Sequence, residues 1–184
     1  MIPNQSKAIK IIICVLLVAI TASVYWQVNN YPFIYTYDDQ HYVTKNDHVL
    51  QGMTIQNIIW SFTATEAGFW HPLTWLSLLL DRQLYGLNAG GYHLTNLFLH
   101  LINTILLFLL LNRMTGALWR SAFVAALFAL HPLHVEVVAL VSQRKDVLCT
   151  VFWLLTTLAY VSYSKDETPK VWRYLLVVLF FIMG

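Results

Sequence analysis

The sequence predicts an all-α fold, a polytopic helical bundle that crosses a lipid bilayer several times. Composition is the first reason: 58% of the 184 residues are hydrophobic and 11% are charged, where a soluble domain has about 45–50% and about 25%. The second reason is a series of uncharged apolar segments near the ~20 residues that a membrane-spanning helix needs. A net charge of +2 is too small to indicate a nucleic-acid partner.

The first apolar segment, residues 11–28, follows Lys7 and Lys10. Its apolar character continues through Trp26, beyond a usual signal-peptide core, so we expect an uncleaved helix. Four further spans are expected at residues 92–111, 119–131, 147–164 and 171–184, the last of them still apolar at Gly184. The pattern predicts about four complete spans plus a truncated fifth, in the N-terminal part of a longer protein.

The basic residues predict the orientation, because cytoplasmic loops are enriched in Lys and Arg. A cytoplasmic N-terminus places seven basic residues inside and four outside, the four being Lys45, Arg82, Arg144 and Lys145. The segment 29–91 then forms an outer loop. In that loop Ile55, Ile58, Ile59 and Phe62 recur at helical spacing, which predicts a helix lying in the interface. Residues 69–80 are apolar but too short to span, and are expected to be interfacial or re-entrant.

An acidic cluster, Tyr37-Asp38-Asp39-Gln40-His41, follows the first span on the outer side. Two adjacent carboxylates near a membrane surface can serve as a base and a metal ligand, or as a base and a sugar-binding group. A solvated acidic turn is the simpler alternative, since Asp is a common turn residue. Adjacent carboxylates also suit Mg²⁺ or Mn²⁺ without requiring either ion.

Two further polar clusters stand out against the apolar background. His93, Asn96, His100 and Asn103 fall on one helical face, where polar groups bond neighbouring helices or face a cavity. The second cluster is His131-Pro132-Leu133-His134-Val135-Glu136 with Arg144 and Lys145 downstream. A basic pair on the outer side suggests a lipid phosphate, with snorkelling side chains as the alternative. His131, His134 and Glu136 make a poor zinc site, because no third His or Cys lies close in sequence.

Several ordered blocks carry a family resemblance from about Tyr37 to Tyr163. They are Tyr37-Asp38-Asp39, Trp70-His71-Pro72-Leu73-Thr74 with Asp81, Leu84-Tyr85-Gly86-Leu87-Asn88, Gly91-Tyr92-His93-Leu94-Thr95-Asn96, Leu99-His100, and His131-Pro132-Leu133-His134-Val135-Glu136 with Arg144-Lys145-Asp146. Together they resemble the N-terminal region of the transmembrane and TPR-containing protein O-mannosyltransferases and their bacterial relatives, in the GT-C glycosyltransferase superfamily. The sequence contains no 34-residue repeat, so the TPR array and further helices of the family are absent from it.

The resemblance implies a membrane enzyme that takes a mannose-like sugar from a polyprenyl- or dolichyl-phosphate carrier. The acceptor would be a Ser or Thr hydroxyl of a protein on the lumenal or periplasmic side, in the endoplasmic reticulum membrane or the bacterial inner membrane. It implies that Asp38 or Asp39 is the catalytic base of an inverting transfer.

The outer basic residues Arg144 and Lys145 are expected to stabilise the leaving phosphate. Substrate-binding roles are expected for a larger set of side chains: His93, His131, His134, Glu136, Trp70 and His71. No cofactor is required by the pattern, although Asp38 and Asp39 are the residues for a divalent ion. A membrane transporter using the polar helix face and an inactive interaction fragment are the alternative functions.

Overall fold

The computed structural model describes residues 3–34, 38–166 and 170–184. These residues form nine α-helices and contain no β-strand, which confirms the predicted all-α class. The helices are α1 (Pro3–Tyr25), α2 (Asp47–Gln51), α3 (Ile55–Thr63), α4 (Pro72–Tyr85), α5 (Ala89–Thr115), α6 (Leu118–Leu130), α7 (His134–Ala139), α8 (Arg144–Ser164) and α9 (Val171–Met183).

Three helical segments among the described residues are long and apolar enough to cross a membrane: Lys7–Asn30, Ala89–Thr115 and Val141–Ser164. The predicted spans at 119–131 and 171–184 form the shorter apolar helices α6 and α9. Helix α6 has 13 residues and is therefore about 20 Å long, against about 30 Å for the hydrocarbon core. It ends before Pro132 because a proline disfavours helical geometry at the preceding residue, and His131 is extended. Whether α6 and α9 cross the membrane stays a prediction.

The chain divides into two compact units. The first unit comprises Met1–Tyr25, Leu99–His134 and Cys149–Gly184. Its larger apolar core is formed by Ile13, Leu17, Phe108 and Ala125. A smaller cluster in the same unit consists of Leu110, Leu154 and Val161. This unit holds most of the length of the apolar helices.

The second unit, Trp26–Phe98 with Val135–Leu148, contains the short helices of the predicted outer loop. Asn46 caps α2 by accepting a hydrogen bond from the Val49 N–H at 3.1 Å. The Thr54 hydroxyl caps α3 by accepting a hydrogen bond from the Asn57 N–H at 3.1 Å. Both are residues that favour this position because their side-chain oxygens satisfy a free N–H of the first turn.

Helices α3 and α4 occupy the places where the sequence predicts interfacial segments. Ile55, Ile59 and Phe62 of α3 are exposed, as expected of an apolar face that lies against lipid. Helix α4 begins with Pro72, which suits the first turn of a helix, and buries Trp75 and Leu78. Their location in the membrane interface remains a prediction.

Candidate active-site cavity

The second unit contains a cavity of about 650 Å³. Its lining combines acidic, basic and aromatic side chains: Asp38, His41, Tyr42, Lys45, Asn46, Asp47, His48, Glu66, Phe69, Trp75 and Lys145. One member of the predicted acidic pair and one member of the predicted basic pair therefore line the same space, although they are far apart in the sequence.

The two predicted catalytic carboxylates occupy different environments. Asp38 is exposed and lines the cavity. Asp39 is fully buried; its Oδ2 accepts a hydrogen bond from the Ile34 N–H at 3.1 Å, and its Oδ1 accepts one from the Ser142 N–H at 2.9 Å. Asp38 is thus accessible from the cavity, whereas Asp39 holds two chain segments together through hydrogen bonds. Tyr37, which opens the acidic cluster, lies outside the described residues.

The predicted basic pair is divided in the same way. Lys145 lines the cavity, where its Nζ lies 5.4 Å from the ring centroid of Tyr42 and 5.7 Å from that of Phe69. The same Nζ donates a hydrogen bond to the Ser142 carbonyl at 3.3 Å. A cation held over aromatic faces gains about 0.5–2 kcal/mol, so the two rings help to keep the ammonium group in the cavity.

Arg144 is fully buried and is not among the residues that line the cavity. Its Nη2 forms an ion pair with Asp81 Oδ2 at 2.6 Å and donates to the Tyr92 carbonyl at 2.9 Å. Nη1 donates to Ser77 Oγ at 2.8 Å, and Nε donates to Asn96 Oδ1. Protein groups thus engage four of the five guanidinium N–H donors. Of the two basic residues, Lys145 is therefore the one that a ligand in the cavity could contact.

The ionic partner of Arg144, Asp81, was not predicted to have a site role. The signal was present, since Asp81 is a carboxylate that directly follows the apolar residues 69–80 in α4, and a buried charge needs a partner. Its Oδ1 also accepts a hydrogen bond from Thr95 Oγ at 2.8 Å. The partner itself could not be identified from spacing, because Arg144 lies 63 residues away.

Two stacked rings line the cavity, those of Tyr42 and Trp75, and the ring of His71 packs against both without lining the cavity. Tyr42 stacks on Trp75 with centroids 5.1 Å apart, and His71 stacks on both, at 5.7 Å from Tyr42 and 5.0 Å from Trp75. Burial raises the pKa of Tyr42 to about 12, with smaller contributions from Asp38 and Asp146. Burial lowers the pKa of His71, and the charge of Lys145 lowers it further. Tyr42 and His71 are therefore both neutral at pH 7.

The lowered pKa of His71 predicts a loss of stability in mild acid. The unfolded chain takes up the His71 proton near pH 6.5, but the folded chain resists it, so folding stability falls as the pH drops below that value. The melting temperature should be lower at pH 5.5 than at pH 7.5, and His71→Phe should remove part of that difference. Phe108→Leu, in the core of the first unit, is the control, because it lowers the stability without removing a titratable group and should keep the full difference. An unchanged pH dependence in His71→Phe would contradict this assignment.

None of the predicted substrate residues of the second unit, His71 included, is among the described residues that line the cavity. Trp70 is 63% exposed, and its Nε1–H donates to the Phe62 carbonyl at 2.9 Å. His93 is buried and meets the ring of Tyr31 edge-on at 6.4 Å. Glu136 is exposed and accepts a hydrogen bond from Gln143 at 3.5 Å. Their substrate-binding roles stay predictions.

Two predicted histidines belong to the first unit. His131 is exposed, and its Nδ1 accepts a hydrogen bond from the Leu133 N–H at 3.2 Å. His134 packs its ring 4.4 Å from Phe128 and 5.4 Å from His100. Burial lowers the pKa of His134, and the nearby His131 contributes to the decrease. His134 therefore has packing contacts, and sugar binding by either histidine stays a prediction.

Asp38 and Asp39 are the residues that the sequence offers to a divalent ion, without requiring one. Across residues 3–34, 38–166 and 170–184, no three His, Cys, Asp or Glu residues gather closely enough to hold a metal ion. Asp39, one of the two proposed ligands, already accepts two backbone hydrogen bonds. The described residues do not fit a metal site, so no chemical step is assigned to one.

Comparison with known proteins gives several relatives. Protein O-mannosyl-transferase Tmtc1 of Drosophila melanogaster is 31% identical over 79% of this chain and 17% of its own length. Protein O-mannosyl-transferase Tmtc2 of the same organism is 33% identical over 75% of the chain and 16% of its own length. Protein O-mannosyl-transferase TMTC3 of Mus musculus is 29% identical over 91% of the chain and 19% of its own length. The chain therefore spans less than a fifth of these relatives. No family model and no solved structure matches it.

Proposed function

Because this chain is homologous over most of its length to protein O-mannosyl-transferases, we propose that it belongs to a membrane glycosyltransferase that acts at the cavity of the second unit. The sugar is mannose, the donor is a polyprenyl- or dolichyl-phosphate carrier, and the acceptor is a Ser or Thr hydroxyl of a protein. One observation carries the proposal: a carboxylate, Asp38, and an ammonium group, Lys145, line one cavity in a chain with these relatives.

The transfer needs one base and one group that stabilises an anion. The acceptor oxygen attacks the anomeric carbon of the mannose and forms the new C–O bond, while the Asp38 carboxylate takes the hydroxyl proton. The bond between the anomeric carbon and the phosphate oxygen breaks, and its electron pair leaves with the phosphate. Attack from the face opposite to the leaving group inverts the anomeric configuration.

Lys145 is the group that meets the leaving phosphate. Negative charge on the phosphate grows as the bond breaks, so a fixed ammonium group stabilises the transition state more than the ground state. Arg144 contributes indirectly, because its hydrogen bonds hold the start of α8. The predicted excess of Lys and Arg on the cytoplasmic side of the spans supports a lumenal or periplasmic location for this chemistry.

Replacement of Lys145 tests the proposal. Lys145→Gln in the full-length membrane protein should lower kcat/KM for polyprenyl-phosphate mannose by about 10- to 150-fold, since a hydrogen bond to a charged group contributes about 1.5–3 kcal/mol. The measurement is transfer of radiolabelled mannose from the purified donor to a pool of synthetic Ser/Thr peptides in proteoliposomes.

Lys45→Gln is the matched control, because Lys45 lines the same cavity and its replacement makes the same change in charge. It should alter kcat/KM less than threefold, as expected for a screened surface charge. Equal losses in the two variants would reject a specific phosphate contact at Lys145. Absence of labelled product from the unaltered protein, with peptides and donor both present, would reject mannosyl transfer itself.

A further inference from the structure

We infer that Asp81 is a positioning residue for the cavity lysine: by pairing with Arg144 it fixes the first turn of α8 and so keeps the Lys145 ammonium group in the cavity. This inference rests on the proposed function, in which Lys145 meets the phosphate of the donor. Asp81 itself does not line the cavity, so its effect on the reaction is transmitted through Arg144.

The first support is the arrangement around Arg144. Its guanidinium group contacts Ser77 and Asp81 of α4, and it also contacts the Tyr92 carbonyl and Asn96 of α5. Helix α8 begins at Arg144, so these contacts hold the beginning of the helix that carries Lys145. The network is buried, which strengthens its electrostatic interactions relative to those in water.

The second support is that the two basic residues are adjacent in the sequence. Arg144 and Lys145 are neighbours in one helical turn, where successive side chains point in directions about 100° apart. Fixing the Arg144 side chain among α4 and α5 therefore sets the direction in which Lys145 leaves the helix. The backbone just before α8 is held as well, because the Ser142 N–H donates a hydrogen bond to the Asp39 carboxylate.

The third support distinguishes Asp81 from the other partners of Arg144. Arg144 is fully buried and Asp81 is 2% exposed, so the carboxylate supplies the negative charge that compensates a buried guanidinium group. The carboxylate is itself held by the Thr95 hydroxyl at 2.8 Å. Without it, the guanidinium group would be drawn toward water or toward the anions of the cavity, and the first turn of α8 would move with it.

A double-mutant cycle tests the inference on the full-length protein in detergent. The variants are Asp81→Asn, Lys145→Gln and the combination, and the measured quantity is the dissociation constant of a short-chain polyprenyl phosphate, with the uncharged polyprenol as the reference ligand. Asp81→Asn should weaken polyprenyl phosphate binding about tenfold when Lys145 is present and less than twofold when Lys145→Gln is present, because coupled residues show non-additive effects. Polyprenol binding should be unchanged in both backgrounds.

Two further variants separate positioning from general loss of stability. Phe108→Leu, in the core of the first unit, destabilises the protein but should leave the affinity for polyprenyl phosphate unchanged. Thr95→Val removes the hydroxyl that holds Asp81 and should give a smaller loss of affinity than Asp81→Asn, again only when Lys145 is present. Thr95→Val also serves as the test if Asp81→Asn does not fold.

The outcomes are distinguishable. If Lys145→Gln binds polyprenyl phosphate as well as the unaltered protein does, the phosphate role in the proposed function is wrong. If Lys145→Gln weakens binding but the variants at Asp81 and Thr95 do not, or do so equally in both lysine backgrounds, the positioning role of Asp81 is wrong. An equal loss in Phe108→Leu would also overturn it.

Discussion

Asp38→Asn is expected to lower kcat for mannosyl transfer by about 10²–10⁴-fold, the usual contribution of a general base. The substitution keeps the size of the side chain but removes the group that accepts the hydroxyl proton. Binding of polyprenyl phosphate should not weaken, because this ligand lacks the acceptor hydroxyl whose proton Asp38 takes. Rates of mannose transfer under saturating donor, together with the dissociation constant of polyprenyl phosphate, measure the two effects separately.

Asp47→Asn is the control for Asp38→Asn, since Asp47 is another carboxylate that lines the cavity. It should retain most of the kcat. Asp39→Asn should behave differently from both, because its carboxylate holds the Ile34 and Ser142 N–H groups and its loss lowers the melting temperature as well as the activity. If Asp38→Asn kept full activity while Asp39→Asn lost it at unchanged stability, the base would be Asp39.

Arg144→Met is expected to destabilise the protein by about 3–5 kcal/mol, because it leaves the Asp81 carboxylate buried without a counter-charge. The double variant Asp81→Asn with Arg144→Met should recover a large part of that loss, since neither buried charge then remains. Unfolding of the detergent-solubilised protein, followed by circular dichroism, measures both differences in stability relative to the unaltered protein.

The surface ion pair of Arg173 with Asp166 provides the comparison. Its atoms are 2.7 Å apart, and both side chains are about one third exposed. Arg173→Met should therefore cost no more than about 1 kcal/mol. A double variant at Asp81 and Arg144 that is as unstable as Arg144→Met alone would show that lost packing, and not the uncompensated charge, causes the effect.

The sequence predicts the helices of this protein better than it predicts their contacts. The long apolar segments and the spacing of Ile55, Ile59 and Phe62 depend on local pattern, and the structure has helices at those places. Helix α6, Leu118–Leu130, has the same length as the predicted span 119–131 and is offset from it by one residue, because it ends before Pro132. Its 13 residues are fewer than a perpendicular span needs, as are those of the predicted segment.

The sequence predicted which residue types occur near the site, but it did not predict which of them line the cavity and which are buried. Adjacency in sequence suggested that Asp38 and Asp39 act as a pair, and likewise Arg144 and Lys145. In the structure one member of each pair lines the cavity and the other is buried. The buried members are held by partners far along the chain, Ser142 for Asp39 and Asp81 for Arg144. Such pairings depend on tertiary contacts, which residue spacing does not encode.

The hydrogen bond between Asp39 and Ser142 also has a consequence for biosynthesis. Ser142 is 103 residues further along the chain, and synthesis at about 5–20 residues per second adds that length in about 5–20 s. During this interval the Asp39 carboxylate has been made but its distant N–H partner has not. The cavity is therefore completed late, after the ribosome has delivered the beginning of α8, and a nascent chain that stops before Ser142 carries the acidic residues without the lysine.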